Sequence, residues 1–66
     1  MIGTVKWFNN EKGYGFIIFK DSDDIFVHYS VIVKNGYKTL KPGSLVEFKL
    51  AKTKKGLQAT RVEEIG

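Results

Sequence analysis

The stretch Lys12–Phe19, KGYGFIIF, places three aromatic rings and two glycines within eight residues. A second aromatic run, IFVHY at Ile25–Tyr29, follows it after a short polar segment. In a β-strand, residues two apart share a face. Tyr14, Phe16 and Ile18 therefore point one way, and Gly15, Ile17 and Phe19 the other. In the second run Phe26 and His28 share a face, opposite Ile25, Val27 and Tyr29. The aliphatic set Ile17, Ile25 and Val27 makes a core face, which leaves Tyr14, Phe16, Phe26 and His28 together on the outside of a hairpin. Lys12 shares parity with Tyr14 and Phe16, and a lysine is seldom fully buried unless paired.

The rest of the chain follows the same period of two, and no stretch holds a helical period for three turns. Ile2–Phe8 (IGTVKWF) reads as a first strand, ended by the turn chemistry of Asn9 to Gly13. Tyr14–Lys20 is a second strand, closed by a turn at Asp21-Ser22-Asp23 against a third, Asp24–Tyr29. Ser30 is positioned to cap a single helical turn over Val31–Val33, and Asn35-Gly36 marks a bend. Lys41-Pro42-Gly43-Ser44 is a turn with proline at its first central position. Leu45–Ala51 alternates cleanly, with Leu45, Glu47 and Lys49 facing one way and Val46, Phe48 and Leu50 the other. Lys52–Gly56 reads as a loop before a last strand, Leu57–Ile65. Short strands with tight turns and almost no helix predict an all-β fold, a small five-stranded antiparallel barrel occupying residues 1–66 as one domain.

Composition supports outward-facing rings. A chain of 66 residues buries only about 60% of the surface that it exposes when unfolded. Val5, Ile17, Ile25, Val27, Ile32, Val46, Phe48, Leu50 and Val62 already furnish a core for that size. One tryptophan, three tyrosines and five phenylalanines come in addition, more than one small barrel can bury. A row of exposed rings promotes aggregation and does little for the fold, so it calls for a function. Neighbouring rings on one strand face stand about 7 Å apart, roughly twice the 3.4 Å rise per base of a stacked strand. An unpaired strand can splay its bases to meet such rings; a duplex cannot. Each base–aromatic stack is worth roughly 1–3 kcal/mol whatever the base. Eleven Lys/Arg against seven Asp/Glu give a net charge of +4, and Lys6, Lys12, Lys38, Lys54 and Lys55 rim the aromatic face. That combination describes a binder of single strands.

Other classes fit less well. There are no cysteines and one histidine, so neither a disulfide framework nor a Cys/His metal set is available. His28 and Ser30 are close in sequence, but no orienting acid completes a triad, and Gly13-Tyr14-Gly15 lacks the third glycine of a dinucleotide fingerprint. The chain is thus expected to have no catalytic residues, cofactor, metal or small-molecule substrate. A protein-docking patch is disfavoured by the lysine rim, because lysine is depleted in interface cores. No apolar run approaches the roughly 18 residues that span a membrane, and Lys6 interrupts the short apolar start, so a cytoplasmic protein without membrane partners is expected. A single-strand binder of this kind can work as a monomer, which is the expectation here, although exposed rings can also support swapping or dimers.

The first run matches the RNP1 pattern K/R-G-F/Y-G/A-F-V-x-F/Y, with Ile17 in place of valine. The RNP2-like IFVHY follows it with no helix between, the reverse of the order in an RRM. Together with GTVKWFN near the start, DIFVHYS, GYKTLKPG, LVEF and KKGLQA, this order resembles the bacterial cold-shock protein family over essentially the whole chain. The resemblance implies an OB-type barrel that binds single-stranded RNA and DNA. It further implies an RNA chaperone that melts weak secondary structure, with roles in cold adaptation and in transcription and translation. By similarity the binding face comprises Lys6, Trp7, Phe8, Lys12, Tyr14, Phe16, Phe26, His28, Tyr29 and Tyr37, with Asp24 and Lys55 making polar contacts. Strict alternation, by contrast, puts Trp7 on the side of Val5 and Tyr29 on the side of Val27; both stand at strand ends, where a bulge or turn can re-aim a side chain. Tyr14, Tyr29 and Tyr37 stand where the family commonly has phenylalanine, and Leu57 where it usually has proline.

Overall fold

In the computed structural model, which describes residues 1–20, 23–34, 36 and 38–65, five strands close into a barrel in the order β1-β2-β3-β5-β4. They are β1 (Ile2–Asn9), β2 (Tyr14–Phe19), β3 (Asp23–His28), β4 (Leu45–Thr53) and β5 (Gly56–Glu64), with a 3-10 turn over Tyr29–Val31. The predicted turn residues Asp21 and Ser22 and the bend residue Asn35 lie outside the described residues.

The β1–β2, β2–β3, β1–β4 and β4–β5 seams are antiparallel, and β3 meets β5 in parallel through Phe26 opposite Gln58. The parallel seam is a consequence of closure. A ring of five strands cannot alternate direction at every junction, so a closed version of the expected antiparallel barrel must contain one parallel neighbour pair.

The core is the inner face of that ring. Val5, Ile17, Ile25, Val27, Ile32, Val46, Phe48 and Val62 are buried as expected of the core set, and Leu40 and Ala59 join them. Leu50 packs only partly against this cluster, opposite Ala59 and beside the place where Thr60 is skipped in the β5 ladder. Phe19 closes one side with its ring edge-on to Phe48 at 5.5 Å.

Two local expectations shift. The helical turn begins one residue before Ser30, and its cap is His28, whose Nδ1 accepts the Ser30 N–H at 3.3 Å. The expected loop at Lys52–Gly56 tightens to Lys54-Lys55, with Thr53 paired to Gly56. Thr53 explains the tightening: its hydroxyl accepts from Lys55 N at 3.2 Å and donates to the Gly56 carbonyl at 2.8 Å, a side-chain turn of the kind Ser and Thr favour.

Candidate nucleic-acid interface

The outer face of β1–β3 begins with an irregularity in β1. Val5 opposes Ile17 and Trp7 opposes Phe16, so Lys6 is the extra residue of a β-bulge. If β1 paired regularly with Lys6 kept in the ladder, Lys6 would oppose Phe16 and Trp7 would turn inward beside Gly15. The bulge moves Lys6 aside and advances Trp7 to the outer face, which resolves the conflict between alternation and resemblance at this position.

Trp7 then completes a closed set of four rings. Its indole lies 5.3 Å from Phe16 and 5.6 Å from Tyr14. Tyr14 stacks on Phe26 at 5.7 Å, and Phe26 meets Phe16 edge-on at 5.8 Å. These are direct and diagonal cross-strand neighbours, the contacts that stabilise a sheet face. Tyr14, Phe16 and Phe26 are half-buried and Trp7 is 37% exposed. The rings thus shield one another's edges, which is how a small domain keeps so much aromatic surface outside its core.

Gly15 makes the close approach of β1 possible. A Cβ there would collide with the Trp7 carbonyl and stand 2.8 Å from the Phe8 Cα. Phe8, opposite Gly15, is half-buried and packs against the core, so its ring lies on the inner side of β1, away from the four-ring cluster.

Tyr29 has left the β3 ladder and begins the 3-10 turn, so strand parity no longer governs it. It is exposed, its ring lies over Gly13, and it sits 4.5 Å from His28. Gly13 has φ 76°, a backbone region that suits glycine, and its carbonyl accepts the Tyr29 N–H at 2.9 Å. Ser30 holds the His28 ring at Nδ1, with its Oγ at 2.8 Å and its N–H at 3.3 Å. A backbone N–H can only donate, so Nδ1 is the acceptor of that bond.

Two hollows that each carry lysine adjoin this aromatic surface. One, of about 380 Å³, is lined by Asn10, Lys12, Gly13, Tyr29 and Lys38 among others. The other, of about 460 Å³, opens beside Phe16 and Phe26 and is bordered by Asp24, Lys55 and Gln58. Lys6 and Asp24 form an ion pair at 3.2 Å, both about half exposed. As β2 lies between their strands, the pair spans it above Ile18, which is half-buried rather than exposed.

The fold therefore brings together Lys6, Trp7, Lys12, Tyr14, Phe16, Asp24, Phe26, His28, Tyr29 and Lys55 on one side of the barrel. Phe8 sits beneath them, and Tyr37 lies outside the described residues. Lys54 is exposed in its turn and borders neither hollow. Gln58 was not foreseen. It reaches the site only through the parallel β3–β5 seam, for which local sequence carries no signal.

Comparison with known proteins agrees with this geometry. The family described as 'Cold-shock' DNA-binding domain matches residues 1–65. The cold shock-like protein CspLB of Listeria monocytogenes is 51% identical over 63 residues, covering 96% of each chain. A cold shock-like protein of Thermotoga maritima is 51% identical over 65 residues, covering 98% of each. Among solved structures, drosophila Unr CSD456 superposes with a TM-score of 0.78 over 98% of this chain at 21% identity. This chain spans 26% of that longer one, and the likeness bears on the fold alone. With an OB-type barrel, an aromatic outer face and a match along nearly its whole length, the chain belongs to the cold-shock domain family of nucleic-acid-binding, non-enzymatic proteins.

Proposed function

We propose that the chain binds single-stranded RNA and DNA across Trp7, Tyr14, Phe16 and Phe26, and acts as an RNA chaperone. The observation that carries this reading is the closed four-ring cluster with two lysine-bearing hollows adjoining it. Unpaired bases stack on the rings, while Lys6, Lys12, Lys38 and Lys55 meet phosphates. His28 and Tyr29 extend the stacking surface toward the first hollow, and Tyr37 and Phe8 complete the set that family resemblance implies. Asp24 and Gln58 offer an acceptor and an amide to base edges.

Chaperoning needs no chemistry. A ligand that binds only the open form of a hairpin shifts its equilibrium by mass action. At a free concentration of one hundred times Kd the shift is about 2.7 kcal/mol, against a mean of about 1.4 kcal/mol per base-pair step of duplex DNA. One bound molecule thus opens a helix end or a weak hairpin and leaves a long duplex intact. That scale suits clearing weak structure from messenger RNA in the cold, and through it influencing transcription and translation. We place the protein in the cytoplasm, working as a monomeric single domain without membrane or small-molecule partners.

A fluorophore–quencher hairpin with a stem of a few base pairs tests this. Opening that rises with protein concentration, and disappears in the Phe16→Ala/Phe26→Ala variant, is the expected result. Binding to the loop with no opening would reduce the function to single-strand binding, and binding to neither would remove it.

A further inference from the structure

A third concavity lies beyond the aromatic face. It has a volume of about 680 Å³ and lies between the segment that follows β3 and the outside of β5. Lys34, Lys38, Thr60 and Arg61 line it, with Glu63 as its acidic member. Its wall is fixed: Ile32 bridges Val62 in parallel, and Val33 N donates to the Val62 carbonyl at 2.7 Å.

Two residues make this groove continuous with the surface already described. Lys38 borders both it and the hollow beside Tyr29. Ser30, on its near edge, is the residue that holds the His28 ring at 2.8 Å. A strand crossing the platform toward His28 and Tyr29 therefore arrives at the mouth of the groove.

The cations there are weakly engaged. Lys34 approaches Glu64 at 3.7 Å, and Arg61 approaches Glu63 at 3.8 Å, all at least a quarter exposed. Such solvent-exposed pairs hold their members only weakly, so a phosphate can take them over. The side chains inside are polar or aliphatic and include no ring, so the groove offers nothing for a base to stack on.

We propose that this groove is an extension site for the sugar-phosphate backbone, where Lys34 and Arg61, beyond the junction at Lys38, take further phosphates of a strand longer than the aromatic platform. The inference rests on the single-strand reading above. It adds a backbone-reading tract that senses ligand length and polarity rather than base identity.

The test uses an oligothymidine just long enough to cover the rings, with or without a short tail of abasic sugar-phosphates at its 5′ or its 3′ end. The tail supplies phosphates and no bases, so it adds no binding register. One tail polarity should tighten binding by about tenfold at low salt, as two exposed ion pairs together give. That gain should steepen the log–log salt slope by roughly 0.7 for each added phosphate. Lys34→Gln/Arg61→Gln should abolish the gain and leave the untailed oligonucleotide unchanged, whereas Glu63→Gln should enlarge it. Equal gains at both ends, a gain that survives Lys34→Gln/Arg61→Gln, or no gain at all would overturn the extension site. Failure of the untailed oligonucleotide to bind would instead overturn the single-strand reading on which it rests.

Discussion

Trp7 stands directly across the β1–β2 seam from Phe16, with ring centroids 5.3 Å apart, because Lys6 is bulged out of the ladder beside it. That one-residue slip turns an alternating strand with an inward tryptophan into one that completes an aromatic surface. The bulge is thus a device of the site rather than of the core.

Deletion of Lys6 tests this account of the bulge. The shortened strand can pair regularly, with Val5 still opposite Ile17 and the tryptophan still opposite Phe16. The deletion variant should fold, and its loss of oligonucleotide affinity should not exceed that of Lys6→Gln. A loss of the near-ultraviolet tryptophan signal together with unfolding at room temperature would show that the bulge itself is needed for stability.

Gly15→Ala tests the opposite face of the same seam. The new methyl would meet backbone atoms of Trp7 and Phe8, which cannot rotate away. We expect a loss of about 3 kcal/mol, the upper end of the range for overpacking. For a domain of this size that lowers Tm by on the order of 15 °C. A Tm within a few degrees of the parent would mean that β1 and β2 are less closely apposed than described.

The Lys6–Asp24 pair, at 3.2 Å and half exposed, predicts coupling in binding rather than in stability. Alone, an exposed pair of this kind stabilises a fold by at most about 1 kcal/mol. Lys6→Gln removes a cation and also leaves Asp24 facing the incoming phosphates without compensation. It should therefore weaken binding more than Lys12→Gln does. Adding Asp24→Asn should recover about threefold, a coupling energy of the size that contacting residues show. Strictly additive losses in that double-mutant cycle would mean that the pair is not maintained in the free protein.

Phe16→Ala and Phe26→Ala separate a nucleic-acid surface from a protein-docking patch. Each ring lost removes a stack worth roughly 1–3 kcal/mol, so each single variant should bind about tenfold to a hundredfold more weakly. The fold should survive, since both rings lie outside the buried cluster. Unchanged oligonucleotide binding by the folded double variant would assign the rings to another partner.

The parent affinity should fall with salt. Four phosphates, one each for Lys6, Lys12, Lys38 and Lys55, give a log–log slope near −2.8 at roughly −0.7 per contact on a single strand. A slope near zero would contradict the role given to the lysines.

The sequence was most informative where a side chain's direction depends on its own strand. Parity alone placed Tyr14, Phe16, Phe26 and His28 outside and Ile17, Ile25 and Val27 inside, as observed. It failed for Trp7 and Tyr29, the one displaced by a bulge and the other carried off the ladder by the 3-10 turn. Resemblance expected both of these rings on the surface, where they lie, and it also named Phe8, whose ring the fold packs toward the core. Leu40 and Gln58 were invisible for a different reason. Leu40 enters the core from an irregular segment with no period, and Gln58 reaches the site through a contact between non-consecutive strands. Local pattern cannot encode a neighbour brought in by closure of the barrel.

The central claim is that Trp7 lies in a surface made for unpaired bases, and its fluorescence reports on that directly, because it is the only tryptophan in the chain. The measurement is titration of the protein with a short single-stranded pyrimidine oligonucleotide and, in parallel, with the same sequence as a duplex. The account predicts strong, saturable quenching by the single strand and little by the duplex. Equal quenching by both, or none by the single strand, would contradict it.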